Sequence, residues 1–231
     1  DPVQRTLHHL PDMSSARVNH TATLLEDGRV VVAGGSASAF DPTQERATLE
    51  IFDPGTAAFS RLDVPTDFRS NRTAKLLPSG EVLLAGGTST GTTYCEIWDR
   101  ETQKAHPTAK MRVARTGHTA TTLDTGAVLI VGGESWDGPA RSAEVFEPPT
   151  AQFRDTGEAQ VARAYHTATR LPSGDVLVVG GSEDGTCELY SPSAGTFRAT
   201  GALRRARSRH AAVLTSQGRV LVAGGESSGG E

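Results

Sequence analysis

The sequence has 231 residues, 23 Lys+Arg against 27 Asp+Glu, a formal charge of −4 at pH 7, 36% apolar and 5% aromatic residues. That length can bury a substantial core, and the balanced, slightly acidic charge excludes repulsion-driven disorder and an extended basic nucleic-acid surface. No run approaches the roughly 20 consecutive apolar residues of a membrane-spanning helix, and no basic-then-apolar leader opens the sequence; membrane insertion and a retained targeting segment are not expected, and the compartment is left open.

In chain order, Asp1-Pro2 to Met13 matches the turn and last strand of a unit that then recurs. The first full unit opens with a predicted strand at His20–Leu25, turns at Asp27-Gly28 and continues through the apolar run Val30–Ala33 to Gly34-Gly35. A long loop carrying Phe40 leads to a third strand with Glu50-Ile51-Phe52, a turn at Asp53-Pro54-Gly55 and a fourth strand with Phe59. The second unit repeats this with Val82–Ala85, Gly86-Gly87 and Glu96-Ile97-Trp98, but Arg72 replaces the histidine and no phenylalanine follows in its fourth strand. The third and fourth carry Val128–Val131 and Val176–Val179 before Gly132-Gly133 and Gly180-Gly181, then Glu144-Val145-Phe146 with Phe153 and Glu188-Leu189-Tyr190 with Phe197. The fifth reaches Val220–Ala223, Gly224-Gly225 and Glu231, which aligns with the other repeat glutamates. Successive glycine pairs are 52, 46, 48 and 44 residues apart. β-branched runs of this kind read as strands buried on both faces, and the Asp-Gly and Ser-Gly pairs before them read as two-residue hairpin turns.

Four antiparallel strands per unit with both faces apolar cannot stand alone, so each unit must press on its neighbours. The period, the glycine pair after the second strand and the downstream aromatics resemble the kelch family across essentially the whole chain. The resemblance implies an all-β fold: one domain, residues 1–231, a β-propeller of five four-stranded blades, with residues 1–13 completing the last blade. A piece trimmed from a larger ring is the alternative.

Variable loops on a repeated frame are where binding residues gather. Trp136, in Ser-Trp-Asp-Gly-Pro, and Phe40 are candidate anchors for a partner, with Trp136 folded onto its own loop as the other reading. The repeated Arg-x-x-His gives Arg17/His20, Arg115/His118, Arg163/His166 and Arg207/His210, expected to ring a central channel. The arginine forks suit an acidic ligand or the repeat glutamates of a neighbouring blade; the histidines suit hydrogen bonds that every unit needs. Tyr165-His166 is similar to part of the copper site of galactose oxidase, a kelch-like propeller, but no second tyrosine stands at the equivalent positions Asn19, Asn71, Gly117 and Arg209. Cys95 and Cys187, in equivalent contexts, give neither a disulfide framework nor a four-ligand zinc site. The expectation is a non-catalytic module with no cofactor or metal, presenting loops to a protein partner. The alternative is a carbohydrate or small ligand at the channel mouth, held by Arg163, Tyr165 and His166 and possible as an enzyme site. Nucleic acid is not expected, and oligomeric state is left open.

Overall fold

The computed structural model describes residues 9–37, 48–62, 70–88 and 90–227. Among them there is no helix, and the twenty strands form six small antiparallel sheets. Four sheets have four strands in meander order. The first contains β1 (Thr21–Leu24), β2 (Val30–Ala33), β3 (Leu49–Asp53) and β4 (Ala58–Leu62); the second contains β5 (Thr73–Leu76), β6 (Val82–Ala85), β7 (Cys95–Asp99) and β8 (Lys104–Pro107). The third has β9 (Thr119–Thr122), β10 (Val128–Val131), β13 (Ala143–Glu147) and β14 (Gln152–Asp155), interrupted by a hairpin of β11 (Glu134–Ser135) and β12 (Gly138–Pro139). The fourth has β15 (Thr167–Arg170), β16 (Val176–Val179), β17 (Thr186–Ser191) and β18 (Thr196–Ala202). The fifth unit has two described strands, β19 (Ala211–Leu214) and β20 (Val220–Ala223), and no sheet closes on itself. Residues 1–8, Phe40, Arg69 and Glu231, on which the expected ring closure and parts of the expected site fall, lie outside the described residues.

First strands of successive sheets lie side by side: β1 against β5, β5 against β9, β9 against β15, and β15 against β19. Alternation along the second strands then builds the core between sheets, because successive side chains point to opposite faces. Val31 and Ala33 share a cluster with Val82 and Leu84, Leu83 and Ala85 with Val128 and Ile130, and Leu129 and Val131 with Val176 and Val178. Third and fourth strands add an aromatic pair at the same register position: Phe52 with Phe59, Phe146 with Phe153, and Tyr190 with Phe197, with centroids 5.0, 5.0 and 4.8 Å apart. In the second sheet that position pairs Trp98 with Ala105, and the fully buried indole takes the space of the missing phenylalanine.

The hairpins between first and second strands have three-residue loops, not the two-residue turns read from the sequence. Gly28 N–H donates to Leu25 O at 3.1 Å and Leu25 N–H to Arg29 O at 2.8 Å, with Gly28 alone at φ 85°. A two-residue type I′ turn needs two positive φ angles; a type I turn followed by one left-handed glycine needs one. The other four units repeat this pattern at Gly80, Gly126, Gly174 and Gly218.

Candidate binding face and the repeated side chains

Where it occurs, the Arg-x-x-His segment lies just ahead of the first strand of its sheet, and its arginine turns inward. Arg115 is fully buried: its guanidinium donates to Gly132 O at 2.6 Å, Ser142 O at 2.9 Å and Glu144 Oε1 at 3.0 Å. Arg163 donates to Gly180 O, Thr186 O and Glu188 Oε1 at 2.7, 3.1 and 2.6 Å, and Arg17 to Gly34 O, Thr48 O and Glu50. The repeat glutamates therefore pair with the arginine of their own sheet, which corrects the expected pairing between blades. The reason is reach, since the guanidinium spans the glycine step within one sheet. The carboxylate also accepts backbone N–H groups of the segment leading into the sheet, Arg112 and Val113 for Glu144, Gln160 and Val161 for Glu188. A buried ion pair whose carboxylate and terminal guanidinium nitrogens are hydrogen-bonded is a structural clamp, although Nε of Arg17, Arg115 and Arg163 is buried without a partner among the described residues. The arginine forks are thus engaged inside the sheets rather than held out to a ligand. In the second unit Arg72, standing where the others have histidine, lies 3.8 Å from Glu96. Arg207 is half-buried and donates to Gly224 O at 2.7 Å.

Each buried histidine bridges to the preceding unit. Nε2 of His118, His166 and His210 meets the hydroxyl of Thr73, Thr119 and Thr167 at 2.9, 2.9 and 3.0 Å. Burial, then the nearby Arg115 charge, pushes His118 down to about 3. Burial first and Arg163 second hold His166 well below the usual histidine range, and burial with Arg207 lowers His210. The imidazoles are therefore neutral at pH 7. They also explain the glycine pairs. A Cβ on Gly86 would come within 2.6 Å of His118 Cε1 and 2.7 Å of Arg115 O, and one on Gly132 within 2.9 Å of His166 Cε1.

The residue before each histidine position is left-handed in all five units: Asn19, Asn71, Gly117, Tyr165 and Arg209 have φ of 55°, 54°, 63°, 54° and 55°. Its backbone links neighbours, with Asn71 N–H donating to Asn19 O, Tyr165 N–H to Gly117 O and Arg209 N–H to Tyr165 O. These residues line a shared cavity of about 290 Å³ together with His20, Arg72, His118, His166 and His210. The five positions align in the sequence, and their conformation emerges only in the fold. The signal was there: Asn, Asn and Gly are the residues that tolerate φ > 0. Tyr165 and Arg209 are not, and a strained side chain of that kind marks a candidate functional spot.

Tyr165 also reaches beyond that cavity. Its hydroxyl donates to Glu134 Oε1 at 2.8 Å, the Arg209 guanidinium stacks 3.8 Å above its ring, and burial followed by Glu134 raises its pKa. His166 bonds to Thr119 instead, so the adjacent pair is engaged with separate partners. Tyr165 and Glu134 line a second cavity of about 580 Å³, with Val161, Glu183, Arg207 and Glu226 among its other walls. Those walls come from connections between second and third strands and from segments entering the sheets, so both sets share one face. On the rim stands the β11–β12 hairpin, held by Ala140 N–H to Gly133 O at 2.8 Å and Asp137 N–H to Ser135 Oγ at 3.2 Å. Trp136 at its tip is 85% exposed, which settles against its folding onto its own loop.

Cys95 and Cys187 are buried, on third strands and not joined in a disulfide. Among the described residues no three His, Cys, Asp or Glu side chains gather as a metal site. No known protein-family model matches the chain, and no curated protein matches it.

Proposed function

We propose that the chain is a non-catalytic binding module, a kelch-type propeller in arrangement, whose loop face engages a protein partner. The observation that carries this reading is Trp136, an indole 85% exposed at the tip of a short, hydrogen-bonded hairpin beside a concave surface. A rigid exposed aromatic next to a cavity is the profile of an interface anchor. The clamps made by Arg17, Arg115 and Arg163 and the threonine bonds of the histidines support placing recognition on the loops rather than in the channel. One observation favours a second reading, a carbohydrate or other small ligand: the cavity of about 580 Å³ has the size of a ligand site, and its Tyr165–Arg209 stack is held in a strained conformation.

The two readings separate experimentally. A partner captured from the source cells, identified and purified should bind the wild type at least about tenfold more tightly than Trp136→Ala, as for a central aromatic anchor. Equal affinities would sink the protein-partner reading. In a thermal-shift panel of glycans, a shift of several degrees with one sugar, lost in Tyr165→Phe, would replace it with the small-ligand reading.

A further inference from the structure

The hairpin that carries Trp136 also builds part of the larger cavity. Glu134 and Pro139 pair across its base and both line the cavity, so the exposed indole at the tip stands beside it. Val161, Ala162 and Tyr165 add apolar surface to the wall, and the connection between β16 and β17 adds Glu183 and Asp184.

Both connections are acidic. Residues 134–140 hold Glu134 and Asp137, residues 180–186 hold Glu183 and Asp184, and neither stretch holds a lysine or arginine. Each cavity carboxylate keeps an oxygen to offer. Tyr165 takes only Oε1 of Glu134, Thr186 and Ser182 take only Oδ1 of Asp184, and Glu183 accepts no hydrogen bond among the described residues. Hydrogen bonds from Thr186, then Ser182, hold the Asp184 carboxyl below the usual carboxylate range, so it is charged at neutral pH. The basic groups nearby are occupied: Arg207 turns its guanidinium onto Gly224 O at 2.7 Å, and Arg209 pairs with Glu226 at 3.6 Å while stacking on Tyr165.

A group that fills this cavity must suit its apolar wall and its carboxylates together. An apolar residue alone would strip water from the carboxylates without replacing it, and an acidic residue would be repelled. A lysine or arginine matches both, with an aliphatic stem for the wall and a charged head for the carboxylates. The indole face of Trp136 attracts the same charge.

We propose that the partner presents a basic polypeptide segment here, with a lysine or arginine whose stem lies over Pro139, Val161 and Ala162 and whose charge meets Glu183, Asp184 and the second oxygen of Glu134. This rests on the loop-face reading and adds to it the chemistry of the partner.

The test selects random peptides displayed on phage against the folded 231-residue protein, then titrates the labelled synthetic peptides by fluorescence anisotropy. The expected binders carry Lys or Arg beside an apolar residue. They weaken at least about tenfold with glutamine at the basic position or with Glu183→Arg in the protein, and they weaken as salt rises. Because Glu183 is exposed, its substitution leaves the fold intact, and the glutamine peptide probes the same pair from the other side. Binders that need Trp136 but tolerate both changes overturn the proposal and leave the loop-face reading standing. Binders indifferent to Trp136→Ala as well sink both, and a selection that yields no binder overturns the basic-segment proposal.

Discussion

Lowering the pH from 7 to 5 should destabilise this fold through its histidines before the carboxylates titrate. His118 is neutral in the fold, with a pKa of about 3, because burial and the neighbouring Arg115 oppose its charge. In the unfolded chain an unperturbed imidazole titrates near ~6.5. The folded pKa is the lower one, so stability is full above the unfolded value and is lost as pH falls toward the folded value. At pH 5 the unfolded state has taken up a proton that the fold refuses, a loss of about 2 kcal/mol at ~1.4 kcal/mol per pH unit. His166, depressed for the same reasons, adds to the loss in the same direction. Urea titrations at pH 7, 6 and 5 on the wild type and on His118→Gln measure it. The variant should start less stable, having disturbed the bond to Thr73, but its decline from pH 7 to 5 should be smaller by about 2 kcal/mol. If both proteins decline equally, His118 is not held neutral and the burial argument for the buried histidines fails.

Gly132→Ala should cost at least about 2 kcal/mol in chemical denaturation, since the position combines φ 59° with a Cβ site blocked by Arg163 O and His166 Cε1. Glu144→Gln should cost about 3–5 kcal/mol by leaving Arg115 charged and buried, whereas Asp155→Asn, which breaks the exposed pair with Arg112, should stay within about 1 kcal/mol in the same assay. Trp98→Phe should lose about 1–3 kcal/mol through a cavity and Ala105→Phe a similar amount through overpacking. The double variant recreates the Phe–Phe pair of the other sheets and should be measurably more stable than the sum of the single losses predicts.

The repeat was legible because it is written in local chemistry. Val128–Val131 is apolar throughout and β-branched at all but Leu129, Gly126 sits at a turn that needs one left-handed residue, and Phe146 and Phe153 recur at matching offsets. Strand order within each unit followed from those marks. The turn type did not, because a Ser-Gly or Asp-Gly pair fits both a two-residue and a three-residue loop, and only backbone angles distinguish them.

Sequence also singled out Arg115, Glu144 and His118 as repeat positions, but their partners depend on distances between segments far apart in the chain. Arg115 bonds Glu144 of its own sheet while His118 bonds Thr73 of the preceding one, two opposite outcomes for residues three apart. Likewise, Tyr165 was marked as adjacent to a histidine, and tertiary structure turned its hydroxyl away to Glu134 at a cavity that three successive units share. Composition and spacing thus determined which strands exist and which residues recur. Side-chain direction, burial and the choice of hydrogen-bond partner were decided only when one sheet packed on the next, because those are properties of the space between sheets and no single segment contains them.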